Sequence, residues 1–335
     1  MIVLKRSLLI CFGVTCGIAA SVVAAELYYH FLIRPKLEWH DPNTAFDSQL
    51  GWRPVAGRAI SHSWGPISAN DDGFRSSPVD QNRKQILLLG DSVAWGFGVG
   101  DPNSLGYLLE DRLKPRNLQL TNLAVSGYGI DQSYLRLTEC FSKFSNRVGA
   151  IILVICSKND FNDTTSNFTS GKRKMLYRIN DASLELTNHP ISRFNRRNLL
   201  SDSFVISSLS TAFPSFGRLV GWIAGDTRLD RAEGRLVIIR LLRMMRQEAA
   251  NRGAPFIVVL SPDEERDFPT AGERYQIFRS LLDEARIPFI DYQRFLADQK
   301  VSLREIYFDR WHYNSRGNGI LGERLLSELS TAGVF

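Results

Sequence analysis

At 335 residues the chain has room for one large domain with additions, so core size does not limit it. A composition 44% hydrophobic and 23% charged is that of a globular protein and excludes long disorder. The formal charge of +6 suits anionic headgroups or acidic glycans, and with no nucleic-acid motif present, DNA and RNA are not expected partners.

Lys5-Arg6 precede Ser7 to Ala25, a stretch of 19 residues without a charge, long enough to cross a hydrocarbon core of about 30 Å as a helix. The apolar character continues past Glu26 into an aromatic-rich patch, Leu27 to Ile33, of the kind found at membrane interfaces. Residues 1–34 are therefore expected to form a retained transmembrane helix, with membrane contact through residues 7–25. The early cations put the N-terminus in the cytoplasm and the rest in the periplasm or outside the cell. A cleaved signal peptide ending at Val23-Ala24-Ala25 is the alternative.

Residues 35–83 are turn-rich, with Leu50-Gly51-Trp52-Arg53-Pro54 and Asp72-Gly73-Phe74-Arg75, and predict a lead-in packed outside the main domain with one or two short strands. From residue 84 strands and helices alternate. Strands are expected at Ile86–Leu89, Leu118–Val125, Ala150–Ile155, Pro255–Leu260 and Ile287–Tyr292. Helices are expected at Ser104–Leu113, after a cap at Asp131, at Arg231–Asn251, after a capping box at Thr270-x-x-Glu273, and at Ser315–Ser330. Arg240, Arg243 and Arg246 are expected on the solvated face of their helix. Residues 162–230 break the rhythm as an insertion, with a hairpin turning near Asn180-Asp181. Such alternation predicts a parallel sheet covered by helices on both faces, with its chemistry at the C-terminal strand ends.

The polar motifs fall at those ends. Gly90-Asp91-Ser92 follows the first strand, where main-chain N–H groups at a helix start favour developing negative charge. Asn122 to Gly129 follows the second, with Gly127 able to turn its N–H into a cleft. Ser157-Lys158-Asn159-Asp160 follows the third, where the Asn159 amide can donate to an oxyanion, or merely close an Asx-turn. Near the other end, Asp309-Arg310-Trp311-His312 sets a carboxylate three residues before an imidazole. A serine, a base and a group that orients the base are the minimum for acyl transfer through serine. His30, His40, His62 and His189 lie in the N-terminal segment, lead-in or insertion and lack such a partner. Gly96-Phe97-Gly98-Val99-Gly100 does not follow its strand directly and lacks the Gly-Lys-Ser/Thr of a phosphate loop. The four cysteines form no Cys-x-x-Cys pair, so neither zinc nor any cofactor is expected, and Cys140 and Cys156 read as small core hydrophobes.

The ordered set Gly90-Asp91-Ser92, Asn122 to Gly127, Asn159-Asp160 and Asp309-x-x-His312 resembles the SGNH hydrolases, also called GDSL esterases/lipases, over roughly residues 84–330. The lead-in motifs look like those of membrane-anchored bacterial members. The resemblance implies a flavodoxin-like three-layer α/β sandwich with a five-stranded parallel sheet. It makes Ser92 the nucleophile, His312 the base and Asp309 its orienting acid. The oxyanion hole would consist of the Ser92 and Gly127 N–H groups and the Asn159 side chain. Lys158 stands where many members have glycine, which bears on loop conformation and substrate access. The expected activity is hydrolysis of O-acyl esters, acetyl foremost, on a substrate such as an acetylated envelope glycan. An O-acyltransferase with the same triad and a non-catalytic envelope assembly protein are the alternatives.

Overall fold

The computed structural model describes residues 2–29, 32, 43–144, 147–181, 183–192, 203–262 and 272–335, with side chains from residue 12 on. Lys5, Arg6 and Cys11 as side chains, His30, His40, and Thr270 of the expected capping box lie outside the described residues. The chain divides into two compact units. One contains helix α1 (Ile2–Tyr28), and the other carries the sheet and is built from Asn43–Ser170, Lys174–Ile191 and Thr227–Phe335. The stretch expected as a single insertion is thus split between them.

The sheet unit begins with two antiparallel hairpins, β1 (Thr44–Asp47) with β2 (Gly51–Pro54) and β3 (Ala59–His62) with β4 (Gly65–Ser68). There follow β5 (Lys84–Gly90), α2 (Ser92–Trp95), α3 (Leu105–Leu113), β6 (Leu118–Asn122), α4 (Ile130–Phe144), β7 (Val148–Ile155) and α5 (Asp160–Thr164). A longer hairpin joins β8 (Leu176–Asn180) to β9 (Ser183–Thr187), turning through Asp181 at φ +50°. In the other unit stand α6 (Phe204–Ala212) and α7 (Pro214–Ala224). The sheet unit closes with α8 (Arg231–Ala250), β10 (Phe256–Leu260), α9 (Glu273–Ala285), β11 (Phe289–Asp291), α10 (Tyr292–Asp298), α11 (Leu303–Ile306) and α12 (Ser315–Thr331).

The five expected strands form one parallel sheet in the order β11-β10-β7-β5-β6. After β6 the chain crosses back over β5 to lay down β7, so the topological switch lies between the C-terminal ends of β5 and β7. Ser92 and Asn159 emerge there. Side chains alternate along each strand. Leu87, Leu89, Ile151 and Leu153 pack with α4, α8 and α9, while Ile86, Leu88, Ile152 and Val154 pack with α3 and α12. Helices on both faces explain why these strands are apolar throughout. Truncating one such leucine to alanine costs about 2–5 kcal/mol.

Three expectations change. The lead-in is not external: Leu50, Trp52, Phe74 and Arg75 are buried, and it holds four strands rather than one or two. Two-residue turns such as Asp72-Gly73 mark chain reversals equally well inside and outside a domain, which is why the burial was not legible. Asp131 lies within the first turn of α4 instead of capping it. Its carboxylate accepts from the Lys174 ammonium, both side chains fully buried. Arg240 is half-buried rather than on the solvated face, while Arg243 and Arg246 do face solvent and donate to the Glu284 and Arg286 carbonyls at the end of α9, at 2.8 Å each. Cys140 and Cys156 are free buried thiols, as read.

α1 is apolar on every side: Phe12, Val14, Ile18, Val22 and Val23 are all exposed. Among the described residues no helix is long and apolar enough to cross a membrane. Ser7 to Cys11, which lengthen the uncharged run, fall outside the described side chains.

Candidate active site

Ser92 stands at the first position of α2, directly after the buried strand β5. Gly90 makes the exit possible: at φ +142°, a Cβ there would sit 2.6 Å from the Val154 carbonyl oxygen. The buried Asp91 caps the turn, its Oδ1 accepting from the Val93 N–H at 2.9 Å. Because α2 is a single turn, local N–H groups rather than a helix macrodipole are what it offers an anion.

Ser92 Oγ lies 2.8 Å from His312 Nε2, and His312 Nδ1 lies 2.7 Å from Asp309 Oδ2. Asp309 Oδ1 accepts from the backbone N–H groups of Trp311 (3.0 Å) and His312 (2.9 Å). One turn of chain therefore fixes carboxylate and imidazole together. A carboxylate at Nδ1 keeps the proton there, which leaves the Nε2 lone pair to accept from the Ser92 hydroxyl. Burial by itself would raise the Asp309 pKa. The His312 ring hydrogen bond and charge and the two backbone N–H groups outweigh it, holding the carboxyl at about 2. Ser92 Oγ also approaches Asp91 Oδ2, but at 3.4 Å the contact is the weaker one.

On the other side of Ser92 the structure places Gly127 and Asn159. Gly127 has φ +80°, and a Cβ on it would come within 2.6 Å of Ser170 Oγ and 3.4 Å of the Trp52 indole. Trp52 is held in turn by its Nε1–H donating to the Ser126 carbonyl at 3.1 Å and by the Tyr128 hydroxyl donating to its own carbonyl. Among the described residues, the N–H groups of Ser92 and Gly127 have no hydrogen-bond partner. Asn159 is differently placed. Its Nδ2 donates to Asp91 Oδ2 (3.1 Å) and to Asp163 Oδ2 (2.6 Å), which occupies both amide hydrogens. Donation to an oxyanion requires one of these to be released.

Asp160 anchors the loop by accepting from the Cys156 N–H at 2.8 Å. Asp91, Asp160 and Asp163 thus form a buried carboxyl group cluster beside Asn159. Burial and the charges of Asp91 and Asp163 push Asp160 well above the ordinary carboxyl range. Burial raises Asp91 as well, against the Val93 N–H and the His312 charge. Burial likewise brings Asp163 to about 6, against hydrogen bonds from Thr169 and Asn159. Among the described residues no cluster of three or more His, Cys, Asp or Glu side chains is arranged to hold a metal ion.

Sequence reasoning missed the roles of Trp52, Ser170 and Asp163, which shape this side: Trp52 and Ser170 reach it from distant segments, and Asp163, four residues after Asn159, stands in no motif that singles it out. The Asp131–Lys174 pair was missed for the same reason. It braces the loop from behind, where the Ile130 N–H donates to Thr164 Oγ1 at 2.9 Å.

Comparison with known proteins yields one family model, the GDSL-like lipase/acylhydrolase family, matching residues 88–320. No curated protein sequence matches. Solved structures to which the chain shows a likeness include TesA, at 13% identity and TM-score 0.43, covering 74% of this chain and 99% of that one. An acetyl xylan esterase, AlAXEase, is 15% identical with TM-score 0.39, covering 73% and 98% of the two chains. A GDSL-like lipase from Bacteroides thetaiotaomicron is 12% identical with TM-score 0.40, covering 77% and 92%. The family match runs from inside β5 into α12 and so takes in Ser92, Gly127, Asn159, Asp309 and His312 with all of the sheet but the start of β5. The chain accordingly belongs to the GDSL-like lipase/acylhydrolase family and is an SGNH-type ester hydrolase.

Proposed function

We propose that Ser92 is the nucleophile of this hydrolase, His312 its general base and Asp309 the group that orients the base. Ser92 Oγ attacks the ester carbonyl as its proton passes to His312 Nε2. The Ser92 and Gly127 N–H groups receive the oxyanion, joined by the Asn159 amide once it turns from a carboxylate. The imidazolium protonates the departing alkoxide, and water activated by His312 then releases the acid from the acyl-enzyme. The pair of contacts at 2.8 and 2.7 Å through His312 carries this reading.

The acyl group in this reading is acetyl, on an exported envelope polysaccharide. The sheet unit's sequence carries no extended apolar signature of a tunnel for a long acyl chain, which supports a small acyl group. The uncharged run Ser7 to Ala25 and the all-round apolar surface of α1 support a membrane anchor, with the sheet unit periplasmic or extracellular. The test is an acetyl, butyryl and decanoyl ester series on the detergent-solubilised full chain and on Ser92→Ala. Turnover highest on acetyl and lost in the variant is expected. Decanoyl preference would overturn the acetyl assignment, and acylated glycan as the main product would replace hydrolysis by transfer. Release of the full chain from membranes by alkaline carbonate would overturn the anchor.

A further inference from the structure

His312 must hand its proton to the leaving alkoxide, so the alcohol half of the ester lies against the imidazole, away from Gly127. Aromatic rings line that side. The Phe97 ring sits 4.5 Å from the His312 ring at 41°, and Trp64 sits 5.6 Å from Phe97 at 47°. His62 stacks on Trp64 at 4.5 Å and 9°, and Trp311 lies 5.6 Å from His312 on the chain's next position. Trp64, Phe97 and Trp311 are each half-exposed, so the row begins at the catalytic imidazole and reaches solvent.

The row is held rigidly. The buried Arg75 donates to the carbonyls of Trp95 (3.0 Å), Gly96 (2.7 Å) and Val99 (2.7 Å) and pairs with Asp101 at 2.8 Å. The other oxygen of Asp101 accepts from the Ser68 N–H (2.8 Å) and hydroxyl (2.6 Å), tying the β3–β4 hairpin to the loop that carries Phe97. The hairpin tip touches that loop backbone to backbone: a Cβ on Gly65 would lie 2.8 Å from the Gly100 Cα. The glycine-rich run 96–100 thus serves to seat rings, not phosphate. Trp64 and Arg75 both precede residue 88, where the family match begins.

We propose that Trp64 and Phe97 form the subsite for the alcohol half of the ester, and that this alcohol is a pyranose sugar. A pyranose presents an apolar, weakly positive C–H face that suits the negative face of an aromatic ring, with hydroxyls at its rim for water and polar neighbours. Fixed, flat rings beside His62 and Ser63 match that shape, whereas an alkyl alcohol gains most from aliphatic walls. The inference rests on the Ser92–His312 reading of the reaction.

The experiment compares kcat/KM of the full chain on ethyl acetate with that on glucose pentaacetate and on O-acetylated xylo- and chito-oligosaccharides. At least one sugar ester should exceed ethyl acetate. Trp64→Ala should lower the sugar-to-ethyl ratio tenfold or more, chiefly through KM, and Trp64→Phe should restore most of it. An unchanged ratio in Trp64→Ala, or no preference for any sugar ester in the wild type, would overturn the subsite alone. Failure to hydrolyse any of these esters would overturn the underlying reaction and the subsite with it.

Discussion

On the imidazole side of Ser92, the bonds to the His312 Nδ1 and backbone N–H both come from Asp309, three residues away, whereas on the oxyanion side Gly127 is packed by Trp52 and Ser170 and Asn159 is held by Asp91 and Asp163. The first arrangement survives on local geometry, since Asp309 binds the backbone N–H and the ring of His312 at once. The second depends on the tertiary fold. Its glycine is shaped by two side chains from other segments, and its amide is shared between two buried carboxyls. Rate effects on the imidazole side should therefore be sharp and leave the fold alone, while changes on the oxyanion side should spread into packing and titration.

The largest effect is expected from Asp309→Asn, which keeps shape but loses the charge that fixes the tautomer: kcat should fall by about 10³–10⁴-fold, with a small loss of thermal stability near neutral pH because the folded protein favours the ionised carboxyl. A drop below tenfold would show that the turn does not orient the base. Asn159→Ala should lower kcat by about 10²–10³-fold if the amide reaches the oxyanion. If instead it only bridges Asp91 and Asp163, stability will change and kcat will not. Gly127→Ala should cost about ten- to a hundredfold, because an alanine resists φ +80° and meets Ser170. Ser170→Gly in the same chain should recover the part due to contact and leave the part due to backbone.

Asp163 supplies the smallest and most specific comparison. Its carboxyl titrates at about 6 in the folded protein and near 3.9 in an unfolded chain. Between those values the folded state keeps a proton that the unfolded state has lost, so stability falls as pH rises from about 4 to 6 and levels beyond. Asp163→Asn should reduce that slope in denaturant titrations, leaving the part that the raised Asp91 and Asp160 carboxyls contribute. An unaltered slope would place the titration on another group.

How much was legible follows the same division. Strands β5, β7 and β10 announce themselves as unbroken apolar runs because both faces of the sheet are covered, and their boundaries moved by only one or two residues. β6 ends at Asn122, three residues earlier than expected, although Leu123 to Val125 stay buried beside β5, with the Leu123 and Val125 N–H groups still donating to the Leu88 and Gly90 carbonyls. The meeting of Ser92, Asp309 and His312 was legible from two short motifs, since a strand end and an i, i+3 carboxylate–imidazole pair are local signals. Trp52, Arg75 and Lys174 were not. A buried tryptophan in a hairpin, an arginine wrapped by four oxygens and a lysine paired with Asp131 all draw their meaning from partners remote in sequence. The motif 96–100 was set aside as a phosphate loop, and its role as a seat for Phe97 required the Gly65–Gly100 contact to be seen.

The account turns on a serine made nucleophilic by a single imidazole. Treating the full chain in detergent with a fluorophosphonate and locating the adduct by peptide mass spectrometry tests it most directly. The modification should fall on Ser92, vanish in Ser92→Ala, and slow at least a hundredfold in His312→Ala. An adduct on another serine, or labelling that is indifferent to both substitutions, would contradict it.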